Sequence, residues 1–174
     1  NMKKVCILFN YSCQKSEQLV SYLEQILCNE NYQIRASRIP KTPNCKPNER
    51  KWFDGAKETI ESSDACIFVF SEALNKPKKL GESGAGLISE ILLFWSETSS
   101  IIRKKMIPIC VNCKPSDLKR PKGEYEQVQD IVAPMLQEMV VETFHFNELT
   151  KKNDSYLDSF IESVTSRILK SPGV

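Results

Sequence analysis

The chain has 174 residues, 41% hydrophobic and 26% charged, with a formal net charge of +2 and a pI near 8.2. That length suits one globular domain with a full core, spanning residues 3–170, and the near-balanced charge excludes a nucleic-acid-binding reading built on charge. Its seven cysteines are an odd number, with Cys6, Cys66 and Cys110 inside apolar runs and no secretory leader ahead of them, so reduced thiols in a cytoplasmic setting are expected.

Val5 to Phe9 reads as a first buried strand, leading into Asn10, Tyr11 and Ser12. Ser16 is the expected N-cap of a first helix, in which Leu19, Val20, Leu23, Ile26 and Leu27 recur at helical spacing up to about Asn29. Tyr32 to Arg38 alternates and suits an edge strand with one wetter face. A basic loop punctuated by Pro40, Pro43 and Pro47 then runs from Arg38 to Arg50 and is expected at the surface.

The stretch Trp52 to Ser71, WFDGAKETIESSDACIFVFS, joins an amphipathic helix to an apolar strand. Trp52, Phe53, Ala56 and Ile60 share one helical face, and Ser62 and Ser63 end the helix. Ala65 to Phe70 is apolar without alternation, as in a parallel-sheet strand covered on both faces. Glu72 to Gly86 reads as a long mobile loop. A helix from about Leu87 follows, with Leu87, Ile88, Ile91, Leu92 and Trp95 as its apolar face.

Lys105 to Val111 is the fourth strand, which accepts Pro108 only where that position donates no ladder hydrogen bond. After a polar loop, Asn112 to Gly123, the spacing suggests helix over Tyr125 to Met139 broken by Pro134, then a fifth strand over Val140 to Phe146. The last helix, Asp154 to Lys170, places Leu157, Phe160, Ile161, Val164, Ile168 and Leu169 on its buried side. Five strands separated by helical segments predict an α/β fold with a five-stranded doubly wound parallel sheet, flavodoxin-like, in the order 2-1-3-4-5. No apolar run reaches the roughly 20 residues that cross a bilayer, so any membrane anchor is expected outside this chain.

In such a sheet, ligands bind beyond the carboxyl ends of the strands, here Asn10-Tyr11-Ser12, Ser71-Glu72 and Asn112-Cys113. No glycine-rich phosphate loop follows the first strand, and that strand end lacks the acids a phosphoacceptor site needs, which excludes phosphotransfer. Cys110 and Cys113 form a CxxC by spacing, but with no second pair or histidines they read as a buried and a loop cysteine rather than a zinc or redox centre. His145, the single histidine, reads as structural on the last strand. Glu90 reads first as a solvated helix charge. If it faces the crevice, it is a carboxylate able to stabilise an oxocarbenium ion during N-glycosidic cleavage. Lys76, Lys78 and Lys79 are either loop solvation or a partner-binding patch beside Phe94 and Trp95.

The block WFDGAKETIESSDACIFVFS resembles the most characteristic segment of the SEFIR domain, found in the cytoplasmic tails of interleukin-17 receptors and their adaptor. KVCILFNYS and MIPICVN are similar to that family's first and fourth strands. SEFIR domains are relatives of TIR domains, so the resemblance implies the TIR-like architecture reached above from the residues. It implies a signalling module without a cofactor, binding other SEFIR-domain proteins homotypically or heterotypically, a homodimer included. No nucleic acid is involved, and no membrane contact is required within this chain. The implied setting is cytoplasmic, including the intracellular part of a single-pass receptor.

The contact surfaces it implies are the loop Glu72 to Gly86, with Lys76, Lys78, Lys79 and Glu82, and the segment Leu87 to Glu97, with Glu90, Phe94 and Trp95. Arg38, Lys41 and Lys46 lie in the basic loop at the position of the TIR recognition loop, although its sequence departs from the usual TIR pattern. The alternative that the resemblance raises is a TIR-like NAD glycohydrolase using Glu90. Leu87-Ile88 stands there in place of the Trp-Cys pair that commonly precedes the catalytic glutamate.

Overall fold

The computed structural model describes residues 2–9, 13–36, 58–75, 104–118, 136–151 and 155–171. Strands β1 (Lys4–Phe9), β2 (Gln33–Ala36), β3 (Ala65–Phe70), β4 (Met106–Val111) and β5 (Glu142–Phe144) form one sheet in the order β2-β1-β3-β4-β5. Every pairing is parallel. The helices are α1 (Gln14–Asn29), α2 (Phe146–Lys151) and α3 (Ser155–Lys170), and residues 58–62 are also helical. This is the doubly wound architecture expected from the strand and helix pattern.

The pleat sorts the core into two layers. Val5, Ile7, Phe9, Ala65, Ile67, Val69, Ile107, Ile109 and Val111 face one side, against Leu19, Val20, Leu23 and Leu27 of α1 and Phe160, Val164 and Ile168 of α3. Cys6, Leu8, Cys66, Phe68, Phe70, Met106 and Cys110 face the other, against Ile60, Leu118 and Leu136. Covering both faces removes any reason for alternation, which is why the central strands read as continuous apolar runs. Phe68 and Phe70 are fully buried, and each contributes roughly 1.5–3 kcal/mol of transfer free energy. The edge strand β2 behaves differently: Gln33 and Arg35 are exposed while Ile34 and Ala36 are half-buried.

Helix α1 begins at Cys13, an extended N-cap that makes no side-chain capping bond. Ser16, the cap expected from sequence, instead lies buried in the first turn, because the helix starts three residues earlier and turns that position towards the sheet. At the other end, Tyr32 N–H donates to the Leu27 carbonyl and Asn31 N–H to that of Cys28. Asn31 takes a left-handed φ of 66°. The pattern is a Schellman closure, and asparagine is among the few non-glycine residues that tolerate it.

Two lysines close helix C termini at the amino end of the sheet. Lys105, only 3% exposed, points its Nζ at the carbonyls of Ile60, Glu61 and Ser63, at 3.3, 3.1 and 2.9 Å. Lys3 does the same for α3, donating to Ile168, Leu169 and Ser171 at 3.2, 3.0 and 3.2 Å. Each cation meets carbonyls at a helix end, one of which, Ile60 or Ile168, also accepts a backbone N–H. Between them, Asp64 pins β3 to β1: its carboxylate accepts from Lys4 N–H and its own N–H donates to the Lys4 carbonyl, both at 2.7 Å. Ser63 Oγ donates to the Thr59 carbonyl at 2.6 Å. The Glu-Ser-Ser-Asp sequence is thus a structural joint between a helix and the central strand.

Pro108 sits in β4 between two neighbours, and the ladder explains how. Cys66 N–H donates to the Lys105 carbonyl, and Asn112 N–H to that of Phe144, so the even positions of β4 face β5. Two rungs back from Asn112, Pro108 falls opposite Val140, ahead of the first pairing, Ile109 with Glu142. The Val140 carbonyl accepts from Arg167 Nη1 at 2.8 Å instead. The absent N–H of proline costs no hydrogen bond there.

The same geometry shortens the fifth strand relative to the expected Val140 to Phe146. Val140 is 74% exposed, having no ladder donor opposite it. Past Phe144, His145 N–H donates to the Tyr156 hydroxyl and Phe146 N–H to Asn112 Oδ1, both at 2.9 Å. Those bonds draw the backbone out of the sheet and into α2, which the alternating pattern conceals. His145 therefore follows the strand and does not lie on it. Leu169, expected on the buried side of the last helix, is 62% exposed. The buried stripe is Phe160, Val164 and Ile168 at four-residue spacing, and Leu169 lies about 100° round from Ile168.

Candidate functional site

The residues expected to make contacts, Lys76, Lys78, Lys79, Glu82, Glu90, Phe94, Trp95, Arg38, Lys41 and Lys46, all lie outside the described residues. So does most of the loop expected from Glu72 to Gly86. Its described beginning is a 3-10 turn over Glu72–Asn75. Ser71 starts that turn, its Oγ accepting from Ala73 N–H at 3.3 Å.

What the structure does bring together is the carboxyl edge of β1, β3 and β4. The chain leaves β1 for β2 on one side and enters β3 on the other, so the switch point of the sheet lies between β1 and β3. Cys13 stands there, partly exposed at the head of α1. Burial pushes its thiol up, but the hydroxyls of Ser16 and Ser71 and the backbone at Ser16 and Lys15 more than offset this, so it titrates below the ordinary 9.0. Donors around a sulfur favour its anion, as is usual for a cysteine at a helix N terminus.

One strand over, Cys113 Sγ lies 4.0 Å from the carbonyl of Phe70, the residue before Ser71. The Cys110 thiol hydrogen-bonds to the Cys113 sulfur, which holds Cys113 low and pushes Cys110 up. Glu72, Asp117 and Cys13 are close enough to oppose ionisation of Cys113. Both members of this CxxC are buried, Cys110 in β4 and Cys113 in the following turn. Among the described residues no group of three or more histidines, cysteines or acids could hold a metal ion.

Asn112 shapes the neighbouring corner. Its φ of 53° is left-handed, its N–H donates to Phe144, and its side chain accepts from Phe146. Lys15 Nζ sits 4.8 Å from the centre of the half-buried Phe146 ring, tying the start of α1 to α2 by a cation–π contact. At the opposite end of the sheet an open groove of about 630 Å³ is lined by Lys104, Met106, Val140, Glu142 and Arg167 among others. Glu142 and Arg167 pair there at 3.5 Å, and Ser163 donates to the same carboxylate, so those two charges are engaged with one another.

From the sequence, Ser16 was expected only as a helix cap and Ser71 only as a strand end, and Cys13 carried no expectation. The available signal was a cysteine three residues ahead of a serine just after a buried strand, the spacing at which a cap and the third helical residue face each other. No protein-family model and no characterised protein matches the chain.

Proposed function

We propose that this chain is a SEFIR-type interaction module, which assembles interleukin-17-receptor-type signalling complexes in the cytoplasm by binding other SEFIR domains. The fold alone would not carry this, since sheets of this order host many unrelated functions. The observation that carries it is that the block resembling the SEFIR signature, WFDGAKETIESSDACIFVFS, includes the joint through which Ser63, Asp64 and the central strand β3 are locked. Two further observations support the reading. The six described cysteines are free thiols, as suits a reducing compartment. Among the described residues no helix is long and apolar enough to cross a membrane.

On this reading β3 is scaffold, and the segment launched at Ser71 is the contact surface. The test is co-precipitation with a SEFIR domain after reversing Lys76, Lys78 and Lys79 to glutamate. Binding is expected to be lost while the circular dichroism and melting curve stay those of the wild type. Binding at wild-type strength would remove the loop from the interface.

A further inference from the structure

The thiol at the head of α1 is placed unlike the other described cysteines. Cys6, Cys66, Cys110 and Cys113 are buried to 2% exposure or less, and Cys28 is exposed on the surface. Cys13 lies between these extremes and has two hydroxyls beside it. Ser71 Oγ already accepts from Ala73 N–H, which leaves its own hydrogen free for the sulfur. Ser16 follows at the spacing that turns a third helical residue back over its cap. Its hydroxyl is fully buried and, though close enough to the sulfur to favour the thiolate, makes no well-formed hydrogen bond. A buried polar group left unmet is costly, and such groups are uncommon in native proteins. The hydroxyl is poised for an acceptor that the resting thiol does not supply well.

We propose that Cys13 is a hydroperoxide-reactive thiol whose sulfenic acid product is held by Ser16 and Ser71. The Cys13 thiolate attacks the terminal oxygen of the peroxide. The sulfur–oxygen bond forms as the oxygen–oxygen bond breaks, and the hydroxyl stays on sulfur. Sulfur is oxidised by two electrons, and the departing hydroxide or alkoxide takes a proton from solvent to leave as water or alcohol. The new oxygen is an acceptor beside two O–H groups that donate to no other acceptor among the described residues. The titratable neighbours are Cys113 across the end of β3 and, beside it, Glu72 and Asp117. This assignment is independent of the partner-binding function.

The test treats the reduced full chain with hydrogen peroxide in the presence of a 1,3-dione that traps sulfenic acids, followed by peptide mass spectrometry. At pH 7, Cys13 is expected to label several-fold faster than Cys28, although Cys28 is the more exposed. Cys13→Ser removes the label and keeps a good helix cap. Ser16→Ala and Ser71→Ala are expected to slow labelling several-fold at pH 7, with the difference closing as pH rises towards 9.0. Cys28 labelling as fast as Cys13 in the wild type, which needs no variant, would overturn the proposal. So would folded alanine variants that react at the wild-type rate at every pH.

Discussion

At the amino end of the sheet, Lys105 and Lys3 each place a cation on three carbonyls at the close of a helix. At the carboxyl end, Cys13 caps α1 without a side-chain capping bond, and the buried Ser16 hydroxyl makes no well-formed hydrogen bond. At one end two helix termini are closed by lysine charges, while the other keeps donors around a partly exposed sulfur. Doubly wound sheets place ligands at the carboxyl end, and among the described residues the buried side-chain oxygen without a well-formed hydrogen bond, Ser16 Oγ, lies at that end. The difference teaches that an unmet polar group says most when the equivalent groups elsewhere in the molecule have been met.

The sharpest way to break this comparison is at Lys105. Replacing it with Met keeps the aliphatic stem but takes the lysine donor from the Glu61 and Ser63 carbonyls, while that of Ile60 keeps Ser63 N–H, and is expected to lower the unfolding free energy by about 3 kcal/mol in urea titrations. Lys3→Ala is expected to cost about 1 kcal/mol by the same measurement, since Lys3 is only part-buried and water can replace it. Equal losses would mean that burial does not distinguish the two caps. At the other end the sign reverses. Ser16→Ala removes a buried hydroxyl that makes no well-formed hydrogen bond and is expected to leave stability unchanged or raise it by about 0.5 kcal/mol, while slowing oxidation of Cys13.

The smallest effect is a pH dependence. The folded Cys13 thiol titrates below 9.0, so between its folded value and 9.0 the unfolded chain binds more protons. Stability from this group therefore rises with pH across that window, is complete above 9.0 and is lost as pH falls through the folded value. Denaturation at a series of pH values should show this rise in the wild type and a flatter curve in Cys13→Ser.

The sheet was legible because burial on both faces leaves a plain mark, the unbroken apolar runs of β1, β3 and β4. Their spacing and the intervening helical periodicities were enough to order all five strands. What escaped was decided by single side chains acting across long sequence separations. Nothing near Val140 reveals that Pro108 faces it, and nothing near Phe146 reveals that Asn112 and Tyr156 capture the backbone there. The lysine caps are hidden for the same reason, since Lys105 and Ile60 lie on different segments and only the fold brings them together. Of the candidate contact residues, every one named from the sequence lies outside the described residues. The thiol site was overlooked because a cysteine three residues ahead of a serine is a weak signal until the fold brings Ser71 beside it.

The division between a scaffold end and a functional end can be tested directly by amide hydrogen exchange, with and without a bound SEFIR domain. Protection is expected over residues 71–86 and at the start of α1, with exchange at residues 58–64 and 168–171 unchanged. Protection confined to those amino-end segments, where the two lysines close their helices, would contradict the account.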